Sequence, residues 1–282
     1  PNKIFTQCDE RWIIRKISEN PKLSAQKLVD EVKNFFGKDC SASTIRCILR
    51  SHDFHGRVAL KKPFINQKNR VNRLTFAKNH VLKDATFWDT VIFSDESKLN
   101  VFGSDGRSMV WRKPNKQLDV KNLRATVKHG GGSVMVWACM AATGVGNLVF
   151  IDGNMDKNMY LGILKDNLLQ SVEKLGLRGN FSFYQDNDLK HKSGIVQTWL
   201  IWNCPHLMQP PAQSPDLNVI ENLWALLEKN IRKHNISSKE TLKTTLLGEW
   251  SKISLEETKK LVNSMQSRLR AVISQNGYQT KY

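Results

Sequence analysis

A chain of 282 residues can hold one small module plus one catalytic-sized domain, and its 40% apolar residues, with eight Trp, exclude a disordered polybasic protein. No apolar run reaches the roughly 18 residues of a membrane span, and the first residues lack a signal peptide's charged-then-apolar pattern, so a soluble intracellular protein with no membrane partner is expected. The formal charge of +17 favours a polyanionic partner, most commonly nucleic acid, while Cys8, Cys40, Cys47, Cys139 and Cys204 form no C-x-x-C pair or zinc-spaced cluster and read as reduced packing residues.

The charge leans to the smaller part of the chain. Residues 1–84 carry 18 Lys+Arg against 8 Asp+Glu, and residues 85–282 carry 25 against 18. Three short amphipathic helices are predicted first. Thr6 and Asp9 can cap one with Trp12, Ile13 and Ile17 on its apolar face; Ser24 opens a second, with Leu28, Val29, Val32 and Phe36 inward, that Gly37 closes. Ser41 or Ser43 caps the third, which turns Ile45, Ile48 and Leu49 inward and Ser43, Thr44, Arg46 and Arg50 outward. This pattern suits a helix-turn-helix DNA reader over residues 1–55 and equally suits any small three-helix bundle. The next stretch tips the balance towards DNA: residues 54–83 contain Arg57, Lys61, Lys62, Lys68, Arg70, Arg73, Lys78 and Lys83 and no acid. A basic interdomain linker is therefore expected over 56–84, extended to about residue 66 and helical over 67–83, with Arg57, Lys61, Lys62, Arg70 and Arg73 on phosphates.

From residue 85 the pattern changes to strands: 90–95, 99–102, 133–140 and 148–151, with a polar, basic insertion at about 106–132. A helix over about 155–175 follows, then a strand at 181–185, a helix at 193–202, a short strand at 206–209 and a helix over about 218–234. This order predicts an α/β catalytic domain over 85–282 with the ribonuclease H-like fold, a mixed sheet flanked by helices. Two closing helices are expected at 238–252 and, behind a Ser254/Glu257 capping box, from 254 to about 275.

Three acids fall where that fold can gather them: Asp95 ending the first strand, Asp186 at the end of the strand 181–185, and Glu221 in the first turn of the helix after the strand 206–209. Clustered carboxylates repel unless cations join them, and hard oxygen donors select Mg²⁺ or Mn²⁺. Two such ions about 3.5–4 Å apart would suit phosphodiester chemistry. Each acid also has a plain structural reading: Asp95 as a polar strand end, Asp186-Asn187-Asp188 as an Asx-rich turn, and Glu221 as partner to Asn218 in a capping box.

The chain resembles the Tc/mariner superfamily of DDE transposases, on its Tc-like branch. The match is carried by Ile92-Phe93-Ser94-Asp95-Glu96-Ser97-Lys98, by Gln185-Asp186-Asn187-Asp188 with Lys190-His191, and by Ser214-Pro215-Asp216-Leu217-Asn218 running into Ile220-Glu221-Asn222-Leu223-Trp224, with 34 residues between Asp186 and Glu221. The resemblance implies a cut-and-paste enzyme that cleaves at terminal inverted repeats and joins the freed 3′-hydroxyl to target DNA, typically at TA. It further implies Asp95, Asp186 and Glu221 as ligands of two Mg²⁺ or Mn²⁺ ions, a homodimer on double-stranded DNA, nuclear localisation, and a clamp-like role for 106–132. His191 is expected to orient DNA or water beside the ligands, although a lone His after a strand is more often structural. Leu189 and Val219 stand where the family usually has Pro, away from the metal ligands. Such enzymes normally carry two helix-turn-helix units, and the chain, opening at Pro1, is expected to hold only the second. The alternatives are a transposase-derived DNA-binding regulator without catalysis, which usually lacks one acid of the triad, and another ribonuclease H-like nuclease, which the N-terminal module argues against.

Overall fold

The computed structural model describes residues 4–58, 62, 64–101, 119 and 132–282. The chain divides into two compact units, residues 1–62 and 63–282. Nearly all of the insertion expected at 106–132 lies outside the described residues, as does Lys61.

The first unit is three helices, α1 (Gln7–Glu19), α2 (Ala25–Phe36) and α3 (Ala42–Ser51). Thr6 and Asp9 form a reciprocal capping box on α1, Ser24 and Ser41 cap α2 and α3, and Gly37 ends α2 in the left-handed region at φ 66°, where a Cβ would be strained. Ile13, Ile17, Leu28, Val32, Ile45 and Ile48 meet in its core, and α3 leaves Ser43, Arg46 and Arg50 exposed, with Thr44 half-buried.

The second unit opens with α4 (Gln67–His80) and α5 (Ala85–Asp89). The sheet then forms from β1 (Val91–Asn100), β2 (Ser133–Ala141), β3 (Gly144–Ile151), β4 (Ser182–Tyr184) and β5 (His206–Met208), in the order β3-β2-β1-β4-β5. β1, β2 and β3 pair antiparallel and β1, β4 and β5 parallel, giving the mixed sheet expected. Side chains alternate across it: Val91 and Phe93 enter one core with α4 and the helices α8 (Ile220–Ile231), α9 (Lys239–Ser251), α10 (Leu255–Asn263) and α11 (Met265–Ser274). Ile92, Trp137 and Phe183 enter the other core, with α6 (Lys157–Lys174) and α7 (Gly194–Asn203). Among the described residues no helix is long and apolar enough to cross a membrane.

Three expectations are corrected. The strands at 90–95 and 99–102 are one strand, because Glu96, Ser97 and Lys98 continue the ladder opposite Trp137, Val136 and Met135. The final helix is two, α10 and α11, broken at Ser264, whose hydroxyl accepts from Arg268 Nε at 2.8 Å. The basic stretch 56–84 is not a linker throughout. Its helix α4 belongs to the second unit, where Phe76 and Ala77 are buried in the core shared with α8–α11, and a Cβ at Gly277 would collide with the Arg70 carbonyl.

Candidate active site

Parallel pairing of β1 with β4 sets the site. Its last pair is Phe93 with Tyr184, and Asp95 and Asp186 each lie two residues farther on. Two residues is one pleat repeat, so Asp95 keeps the direction of Phe93, towards the core that contains α8. A short 3₁₀ turn, Pro215–Leu217, leads into α8, and Asn218 Nδ2 donates to the Ser94 carbonyl at 3.2 Å, fixing the start of α8 against β1. Glu221 follows in the first turn. Its reading as a cap fails: α8 has no side-chain cap hydrogen bond and the Asn218 side chain is committed to β1.

Asp95, Asp186, Asp188 and Glu221 line one cavity of about 320 Å³, which has no Lys or Arg in its wall. Asp95 is half-buried, whereas Asp186 and Glu221 are exposed to the opening. Burial first, then the charges of Glu221 and Glu96, push the Asp95 carboxyl up to about 8. Burial also raises Glu221, offset in part by its hydrogen bond with Asp95. Asp186 is held low: burial opposes its ionisation, but His191 and the Asp188 amide, 3.0 Å away, prevail.

His191 is 2% exposed and packs against the Tyr160 ring in a tilted arrangement, 4.0 Å between ring centroids. Its Nε2 lies 3.1 Å from Glu96 Oε1, and its Nδ1 lies 2.6 Å from Asp186 Oδ1 without hydrogen-bond direction. Burial works against its charge, yet Asp186 and Glu96 lift it to about 9, so it stands as an imidazolium between two carboxylates. Lys190 reaches Asp188 at 2.8 Å and Glu96 at 3.7 Å. Among the described residues no three His, Cys, Asp or Glu side chains already surround one ion position, since Asp186 faces His191 and Asp95 faces Glu221. The donors nonetheless fit a hard dication: all are carboxylate oxygens, they line one cavity, and the innermost is left without a cationic partner.

The basic positions separate sharply. Arg73 cannot serve a phosphate as expected from sequence. It is fully buried, with Nη1 and Nη2 each 2.7 Å from the two Asp216 oxygens and Nε donating to the Gly277 carbonyl. Arg70 is half-buried, bonded to the Tyr278 hydroxyl and stacked on its ring. Arg57 and Lys62 are exposed.

Sequence reasoning missed this clamp. Thr280 Oγ1 also donates to Asp216 at 2.8 Å, and Arg268 donates to the Asp216 carbonyl and to Asn222 Oδ1, so buried arginines from α4 and α11 hold the turn that delivers Glu221. A signal was available, because Arg73 shares the helical face of Phe76 and Ala77.

The comparisons agree with this geometry. A family model described as Transposase matches residues 10–82, and one described as DDE superfamily endonuclease matches residues 90–243. The transposable element Tc1 transposase of Caenorhabditis elegans is 40% identical over 97% of this chain and 100% of its own length, and the Tc3 transposase of the same organism is 31% identical over 99% of this chain and 82% of its own. The Mos1 transposase paired-end complex with left transposon end superposes with a TM-score of 0.85 at 15% identity, over 100% of this chain and 81% of that one, which shows the shared fold. The crystal structure of the catalytic domain of Mos1 mariner transposase superposes at 0.62 over 79% of this chain. Fold, carboxylate cavity and sequence relatives converge, and the chain belongs to the Tc1/mariner transposases, enzymes of the DDE endonuclease superfamily.

Proposed function

We propose that Asp95, Asp186 and Glu221 are the catalytic carboxylates of this transposase, and that they act by holding divalent cations, Mg²⁺ or Mn²⁺, two per site. The observation that carries the reading is their convergence on one cavity with no basic residue in its wall. Bound there, the cations would activate a water or 3′-hydroxyl nucleophile and stabilise the leaving oxygen of a phosphodiester. Relatives solved as paired-end complexes with Mn and with Mg support that choice of metal.

The chain's own residues prepare the site. Asp95 is fixed by the central strand and Glu221 by the Asn218 tether, so their separation is set by the sheet and the start of α8. Asp186 would be the adjustable member, giving up its His191 contact when it holds a cation, while His191 is anchored on Glu96 and Tyr160. His191 is thus a positioning residue for Asp186.

Double-stranded DNA, as transposon ends and as target at TA, is the substrate of this reading, in a nucleus and with the chain acting as a dimer. Residues 1–55 form the DNA-reading domain, with Ser43, Thr44, Arg46 and Arg50 on the free face of α3 as readers. Arg57, Lys61 and Lys62 follow as phosphate contacts. Residues 64–282, including α4, are the catalytic domain.

Cleavage of a duplex bearing the cognate terminal repeat tests the proposal. Mg²⁺ or Mn²⁺ is expected to support cutting and Ca²⁺, with longer and looser coordination, to support little or none. Undiminished cutting in excess chelator would end the metal reading. Binding without cutting under every metal would favour a DNA-binding regulator.

A further inference from the structure

The acidic cavity opens onto a much larger groove of opposite character. The two share Asn187, Pro210, Pro211 and Ala212 as a common wall, so a chain leaving the carboxylates can pass directly from one to the other. The groove measures about 1140 Å³ and runs from that wall along β5, the edge strand of the sheet, between α4, α5 and the segment before α7.

Its charge pattern inverts that of the cavity. Lys68, Lys83 and Lys192 line it together with His80 and His206, and no Asp or Glu does, whereas the cavity has four acids and no base. All three lysines are exposed, and among the described residues no ion pair engages Lys68 or Lys192. Lys83 lies over the Phe87 ring at 5.0 Å, and the neighbouring Asp84 carboxylate caps α5 through Phe87 N at 3.0 Å while also feeling the Lys83 charge. The rest of the lining is chiefly Asn, Thr and other neutral polar groups that donate hydrogen bonds.

This pairing answers a physical difficulty. Four carboxylates repel a polyanion, and bound cations offset that only at the scissile phosphate itself. The phosphates on either side need a positive track within about a Debye length, roughly 8–10 Å at ordinary salt. A groove continuous with the cavity, basic and free of acids, is such a track.

We propose that this groove binds the DNA backbone beside the reacting phosphate, with Lys68, Lys83 and Lys192 as its phosphate contacts. The inference rests on the DDE reading of the cavity. Flanking donor DNA and target DNA present the same chemistry to it.

The experiment uses the full chain with Lys68, Lys83 and Lys192 all changed to Ala, and a companion with all three changed to Arg. Affinity for terminal-repeat duplexes with long flanks and with none is measured against salt, together with strand transfer of pre-cut ends into plasmid. For donor flank, the Ala variant loses about 0.9 of salt slope per lost contact on the long-flank duplex only, and the Arg variant restores it. For target, end binding is unchanged while strand transfer falls and its salt dependence flattens. The substituted lysines are exposed, so melting temperature should match wild type, and the Arg variant controls for any that does not. Wild-type slopes and wild-type strand transfer in the Ala variant would overturn the groove. If wild type itself fails to cut or join with Mg²⁺, the DDE reading fails, whereas the salt-slope arm still tests whether the groove holds flanking DNA: a lost slope supports it and a wild-type slope overturns it.

Discussion

Two clusters in the catalytic unit bury acidic charge in opposite ways. Asp216 sits against Arg73, Thr280 and the end of the chain; burial alone would raise its carboxyl, but the Arg73 guanidinium holds it well below the usual carboxylate range. The charges nearest Asp95 are other acids, no Lys or Arg lines its cavity, and burial with Glu221 and Glu96 drives it up to about 8. One cluster carries its counter-ion in the fold, and on the proposed reading the other leaves that place to a cation. A carboxyl buried without a cationic partner, as Asp95 is, is costly to stability, and such perturbed groups gather where chemistry is done.

The comparison is broken most violently at Asp216. Removing one partner of a buried ion pair leaves the other charge stranded, which costs about 3–5 kcal/mol. Arg73→Met and Asp216→Asn should each lose that much in denaturant unfolding, a large share of a domain's total stability. A loss under about 1 kcal/mol would mean the pair is not the clamp described.

Asp95→Asn should do the reverse. Because the folded protein holds the Asp95 proton up to about 8 and an unfolded Asp releases it near 4, metal-free stability falls as pH rises across that window. His191, lifted to about 9, adds a loss of the same sign from about pH 6.5 upward as its proton leaves. Asp95→Asn is therefore expected to melt higher than wild type at pH 8 without metal, by roughly 2–4 °C per kcal/mol regained, and to lose the Asp95 part of the slope. A lower melting point throughout would show that Asp95 is compensated after all.

The smallest expected effect lies in the first unit. Arg57→Ala with Lys62→Ala should weaken binding to all duplexes about equally and reduce the salt slope by about 0.9 for each lost contact. An unchanged slope would place the backbone track elsewhere.

The meeting of Asp95, Asp186 and Glu221 at one cavity was legible in the sequence because strand periodicity and motif order fix them locally, and Asp95 and Asp186 need only the β1–β4 register to meet. The N-terminal helices were legible for the same reason: Thr6, Ser24, Ser41 and Gly37 punctuate them. What escaped was long-range. Arg73 reads as one more cation in an acid-free run, and only contact with Asp216, 143 residues away, turns it into a core residue. The continuity of β1 through Glu96, Ser97 and Lys98 was hidden because strand pairing with β2 overrides the polar break. The break at Ser264 was hidden likewise, since Arg268 bonds back to its hydroxyl and outward to the Asp216 turn.

The most direct test of the central claim pairs two readouts on Glu221→Gln, which keeps the side chain's size and removes its charge. Cleavage of a terminal-repeat duplex with Mg²⁺ should fall by about 10²-fold or more, the scale of losing one electrostatic contact to a reacting phosphate, while DNA affinity is retained. Melting temperature without metal should hold or rise, because one member of a repulsive acid pair is neutral. Near wild-type cleavage by this variant would contradict the assignment of Glu221 and, with it, the three-carboxylate site.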